Sequence, residues 1–202
     1  MQAPSDAPDY GSRLTRTMSS TARRLLVATP MLLDPHFFRT VVFMIEHTDE
    51  AALGVVINRP SDATLEEAVP EWCALAAEPR VAFVGGPVQP HEAVIALVRG
   101  RSATEPADGW YPLLGSVGTV DLGRSPAEVR PDIEVVRVFA GYAAWGARQL
   151  DTELTQHGWY VVDAEVDDLL TSEPDSLWRR VLRRQGGDLA IAANFPVDPT
   201  SN

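Results

Sequence analysis

Apolar residues in the first half of this chain come in short runs, and that punctuation limits what it can fold into. Leu25 to Ala28, Val41 to Glu46, Leu53 to Asn58 and Val81 to Val84 are aliphatic or β-branched, and each soon meets Pro, Asp, Asn or Gly. Runs of this length and chemistry read as strands. None approaches the roughly 20 apolar residues that a membrane-spanning helix needs, so no membrane partner is expected.

The same reading carries into the second half. Glu92 to Val98, Val117 to Leu122, Glu134 to Ala140 and Trp159 to Val162 are further strands, with a final one expected at Asp188 to Ala192. Helix starts fall at Thr64, where an oxygen cap precedes Glu66 and Glu67, and at Ser125-Pro126, where Pro suits the first helical position. More helix is expected from Gly146 to about Gln156, around Val166 to Leu170, and from Asp175 to Arg184, ended by Gly186-Gly187. Adjacent strands with helices interspersed, rather than regular β-α-β alternation, predict an α+β fold.

With 202 residues and 45% hydrophobic content, the chain can bury a full core. One domain is expected over residues 21–195, after a disordered segment at 1–20 and before a tail at 196–202. Gly100 to Gly109 reads as an exposed loop.

Composition narrows function mainly by exclusion. A formal net charge of −11 argues against broad attraction to phosphate backbones, so nucleic acid is not the expected partner. All 17 basic residues are Arg. Without Lys there is no Walker lysine, kinase-type lysine or Schiff-base lysine. Cys73 is alone, which excludes an internal disulfide and fits the reducing cytoplasm. His36, His47, His91 and His157 lack metal-ligand spacing, so neither metal nor cofactor is expected.

If His47 and Ala52 close a hairpin, paired residue numbers sum to 99, which places Asn58 near Val41 and Arg59 near Arg39. Asp34, Arg39, Asn58 and Arg59 then gather at the open end. They form either a cluster that binds an anion or an Asp-Arg pair that fixes the first turn. His47 lies at the far end as a candidate base or a loop anchor. Gly85-Gly86 after a strand either bring backbone N–H groups to a ligand or mark close backbone packing. Arg179, Arg180, Arg183 and Arg184 make a cationic helix face for an acidic partner, although six acids between 163 and 175 can neutralise it. Trp145 and Trp159 read as core or pocket wall.

Several segments together resemble the AlgH family, also called YqgE-like. They are Leu25 to Pro30 with Asp34, Phe38 to Val42, Glu46-His47, Gly54 to Pro60, Val84 to Val88, and Gly141 to Leu150 followed by Glu153 and Trp159. Ala144 and Arg148 stand where the family commonly has Gly, and Ala147 where it commonly has Pro. The resemblance implies a mixed, mostly antiparallel sheet bent into a pseudo-barrel with helices packed around it. It also implies a bacterial protein of a family often labelled transcriptional regulator. The expected function is a non-enzymatic regulatory or interaction protein acting through a protein partner or a small ligand. The alternatives are a small-metabolite enzyme or anion-binding protein built on Asp34, Arg39, Asn58 and Arg59, and direct DNA binding through the Arg179 to Arg184 helix.

Overall fold

A computed structural model describes residues 20–66, 69–101, 109–129 and 132–196. The disordered segment and tail expected at the termini fall largely outside these residues, as does most of the loop expected from Gly100 to Gly109. The first half runs β1 (Arg24–Ala28), β2 (Val41–His47), β3 (Ala52–Val56), β4 (Pro60–Thr64), a 3₁₀ turn (Pro70–Leu75), β5 (Val81–Val84) and β6 (Val94–Gly100). Then come β7 (Trp110–Leu114), β8 (Val117–Val120), α1 (Pro126–Val129), β9 (Ile133–Ala140), β10 (Ala143–Trp145), α2 (Gln149–Thr155) and β11 (Trp159–Asp163). Three helices close the order: α3 (Val166–Leu169), α4 (Pro174–Gln185) and α5 (Gly187–Ala192).

The strands form two open, bent sheets that do not close into a barrel. One has the order β10-β3-β2-β1-β11 and is antiparallel throughout. The other has the order β4-β5-β9-β6-β8-β7, and its β5–β9 pair is parallel. The α+β class and the mostly antiparallel mixture therefore stand.

Period-two alternation explains why β1 and β2 are apolar along nearly their whole length. Leu25, Val27, Val41 and Phe43 face a core shared with Phe83, Leu97 and Phe139 of the second sheet and with Leu177, Trp178 and Val181 of α4. Leu26, Ala28, Val42 and Met44 face the other way, onto Trp145, Leu150 and Trp159. A third cluster, around Trp72, Trp110 and Val136, covers the outer face of the second sheet.

The β2–β3 hairpin pairs His47 with Ala52 and Glu46 with Leu53, which is the expected register. A bulge between Met44 and Glu46 then shifts it by one, so Val42 opposes Val56.

Two expected elements are corrected. Thr64 does not open a helix but ends β4, pairing with Val81 on β5. Sheet pairing and burial of Leu65 outweigh a local capping signal. Asp188 to Ala192 is helix α5, not a strand. Gly186 and Gly187, both at positive φ, turn the chain back from α4. Leu189, Ala192 and Ala193 then share one helical face and pack into the core. Strand β7 was not expected, and it tolerates Pro112 because it is an edge strand.

Candidate functional site

The hairpin's open end is held together by the side chains expected there, each with its own partners. Asn58 Oδ1 accepts the Val41 N–H at 2.8 Å while its Nδ2 donates to the Arg39 carbonyl at 2.9 Å, so one amide bridges the ends of the hairpin. Arg59 Nη2 donates to the carbonyls of Pro35 and Phe38, at 3.0 and 3.2 Å. Burial lowers its pKa, and Asp34 offsets part of that. Asp34 Oδ1 caps its own turn by accepting the His36 N–H at 2.8 Å.

Arg39, at φ 54°, turns away to donate to the carbonyls of Phe195 and Pro196. Its guanidinium lies 4.6 Å from the Trp178 ring centroid, with its pKa lowered by burial and by Arg179. Two of the four line different pockets. Arg59 lines a pocket of about 220 Å³ with His36, Val84 and Gly86, whereas Asp34 lines a separate one of about 420 Å³.

His47 sits at the opposite end, as the register requires. Its Nδ1 accepts the Thr21 N–H at 3.2 Å and lies 2.9 Å from the Thr21 hydroxyl. Its Nε2 faces Asp151 at 3.7 Å. Gly85 and Gly86 meet other backbone at very short range: a Cβ on Gly85 would lie 2.3 Å from the Gly141 carbonyl oxygen.

On α4, Arg184 makes a two-pronged bond to buried Asp168, at 3.0 and 2.8 Å, and pairs with Glu165 at 2.9 Å. The Asp168 hydrogen bond raises the Arg184 pKa. Arg180 donates to Thr171 Oγ1 and Arg179 to the Ala193 carbonyl, while Arg183 is exposed.

The larger pocket collects groups that the sequence does not place together. Glu153 on α2 accepts through one oxygen from both indoles, Trp145 Nε1 at 3.0 Å and Trp159 Nε1 at 2.9 Å, and through the other from Gln149 Nε2 at 3.2 Å. Phe37 packs on both indoles, stacked on Trp145 with centroids 6.1 Å apart and edge-on to Trp159 at 5.4 Å. The resulting cleft lies between the loop after β1 and the turn joining α2 to β11, and Thr29, Leu32, Asp34, Phe37, Glu153 and Trp159 line it. Thr29 is only 4% exposed, and its hydroxyl has no hydrogen-bond partner among the described residues. Glu153 and Trp159 did follow the strongest motif in the sequence. Only the return of β10 alongside β3 brings Trp145 to them.

Two open sheets that share a core with the apolar face of α4, with an aromatic and carboxylate cleft on the outer side of the first, define a two-sheet α+β protein with a formed ligand-sized cleft. The chain belongs to the AlgH-like family, whose model DUF179 matches residues 25–190. It is 47% identical over 187 residues to a UPF0301 protein of Streptomyces coelicolor, covering 92% of this chain and 97% of that one. The crystal structure of a Corynebacterium diphtheriae protein superposes with a TM-score of 0.80 at 29% identity, covering 86% of this chain and 92% of that one. The solution structure of AlgH from Pseudomonas aeruginosa shares the fold, with a TM-score of 0.62 at 24% identity over 92% of this chain and 100% of that one.

A Gly at the position of Arg148, which the resemblance to the AlgH family implies, would have a physical reason here. Arg148 precedes α2 at φ 56°, ψ 7°, the left-handed region. A residue with a Cβ is strained there by about 1–2 kcal/mol, against about 0.5–1 kcal/mol for the greater chain freedom of Gly when unfolded. Arg148→Gly is expected to stabilise the protein by about 0.5–1 kcal/mol, read as a higher urea midpoint at unchanged slope. A lower midpoint would mean that the arginine side chain contributes more than its backbone strain.

Proposed function

We propose that this is a non-catalytic binding protein with a regulatory output, acting in the cytoplasm, whose ligand occupies the cleft beside Trp159. The observation that supports this reading is Thr29: it lines the cleft, its buried hydroxyl has no hydrogen-bond partner among the described residues, and a buried polar group without a partner costs about 1–3 kcal/mol. A bound molecule can supply that bond. The candidate acid and base groups support the same reading, because they hold structure: Glu153 orients two indoles, His47 anchors Thr21, and Arg59 ties down the loop after β1.

The regulatory part rests on that loop. It carries Met31 and Leu33, which are 79% and 69% exposed, beside the cleft-lining Thr29 and Phe37. A ligand that engages Thr29 and Phe37 also sets the position of this apolar surface, which a protein partner then reads. The net charge of −11 and the pairing of Arg184 with acids weigh against DNA as that partner.

Equilibrium dialysis of the full chain against a small-molecule extract, followed by native mass spectrometry, tests the binding claim. The expected result is one small molecule retained per chain above 22.0 kDa and recovered unchanged after prolonged incubation. Conversion of the compound would make the protein an enzyme and overturn the reading. So would the absence of any small-molecule adduct.

A further inference from the structure

We infer that the cleft selects an organic cation: a protonated amine or similar head on a small apolar or aromatic body. This rests on the binding reading above and adds the chemistry of the ligand. Two carboxylates line the cleft, Asp34 from the loop and Glu153 from α2, and no arginine does. Glu153 takes three donors, and a carboxylate offers about four acceptor directions, so one is left. Asp34 uses Oδ1 for its own turn, and its second oxygen accepts no hydrogen bond among the described residues.

Arg59, on which Asp34 acts, is committed to two loop carbonyls and lines the neighbouring pocket. An anion entering the larger cleft would therefore meet two carboxylates, with no arginine to receive it and His157 the one basic side chain in the lining. A cation would meet both carboxylates together with the rings of Phe37 and Trp159, whose quadrupoles attract positive charge. Leu32 and Met31 supply an apolar wall for the rest of the ligand, and the Thr29 hydroxyl can accept an N–H. The volume of about 420 Å³ falls within the range of small-molecule sites, roughly 300–1,000 Å³.

The indole N–H groups of Trp145 and Trp159 report directly on the cleft, because both bond to Glu153. The full chain, labelled with 15N-tryptophan, is titrated with three probes of one shape and different charge: phenethylammonium, phenylacetate and 2-phenylethanol. Phenethylammonium is expected to shift both indole resonances saturably, with phenylacetate and phenylethanol at least about tenfold weaker. Asp34→Asn keeps an Oδ1 acceptor for the His36 N–H, and it is expected to weaken phenethylammonium by about tenfold without moving the thermal midpoint. Equal binding of the three probes, a preference for phenylacetate, or full affinity in Asp34→Asn would overturn the cation inference while leaving the cleft as a binding site. No indole shift with any probe would overturn both this inference and the binding reading beneath it.

Discussion

Replacing Arg137 with Ala is expected to destabilise the protein by about 3–5 kcal/mol, seen as a large fall in the urea midpoint. Arg137 lies on β9 and is 1% exposed, yet it has no carboxylate partner among the described residues. Its guanidinium donates instead to the carbonyls of Thr171, at 2.7 Å, and Glu78, at 2.5 Å, and lies 4.2 Å from the Phe83 ring centroid. One side chain thus pins the second sheet to the segment before β5 and to the turn between α3 and α4.

Opposing terms decide the size of the effect. Burial pushes the Arg137 pKa down to about 10, so the group is still charged at neutral pH and carries a desolvation penalty of about 3 kcal/mol. Two charge-assisted bonds at about 1.5–3 kcal/mol each, plus a desolvated cation–π contact of about 2 kcal/mol, exceed that penalty. Removing the side chain also leaves the buried Thr171 carbonyl and the Glu78 carbonyl without this donor and opens a cavity. Arg137→Met fills most of the space and removes the penalty, so it is expected to lose about 2 kcal/mol less than Arg137→Ala. The sign with pH follows from the depressed pKa. The penalty is fully present below about pH 10 and fades as pH rises above it, so wild type gains on Arg137→Met at higher pH. Arg137→Met at or above wild-type stability at pH 7 would show that desolvation outweighs the carbonyl clamp.

The contrast between Arg137 and Arg184 shows what was legible in the sequence. Helical spacing placed Arg184 on the polar face of α4, and the acids of residues 163–175 announced that the patch could be neutralised; Asp168 and Glu165 do that at Arg184. Arg137 sits in an apolar strand, Glu-Val-Val-Arg-Val-Phe-Ala, where alternation alone cannot tell a solvent-facing arginine from one buried between a sheet and its helical cover. Local rules also read β1, β2, β3 and β11 of the first sheet well, because their apolar runs are buried on both faces, but not the short β10. They missed the bulge at Ile45, which no residue type announces, and read α5 as a strand because a short run of Asp, Leu, Ala and Ile fits either period. The candidate cleft is the furthest from sequence. Glu153, Trp145 and Trp159 are visible as a cluster in the motif, but Thr29 and Phe37 join them only through the β1–β11 and β3–β10 pairings.

Gly86→Ala is expected to be about as damaging as Arg137→Ala, by about 2–6 kcal/mol, and for a different reason: two stretches of backbone cross with no room between them. Gly86 has φ 154°, and a Cβ built there would lie 2.2 Å from the carbonyl carbon of Tyr142 and 2.5 Å from the Ala143 nitrogen. Neither atom can move far. Val88 and Tyr142 exchange N–H···O bonds of 3.0 and 3.1 Å, and the Gly85 N–H donates to the Ala140 carbonyl at 2.8 Å. From the same crossing, the Gly85 carbonyl accepts the Val56 N–H at 2.8 Å, and Ala143 pairs with Gly54, so the two sheets are coupled there. A methyl group must either break these bonds or force the strained backbone further. Overpacking at about 1–3 kcal/mol and backbone strain at about 1–3 kcal/mol add to the expected range. Gly146→Ala is the matched control, since its added Cβ meets nothing nearer than 4.0 Å and its φ is ordinary; it is expected to change stability by less than about 0.5 kcal/mol. If Gly86→Ala were instead as mild as Gly146→Ala in the same urea series, the crossing would be looser than these distances require. The double glycine would then be free to present its backbone to a ligand in the Arg59 pocket, where its present role is to let two sheets touch.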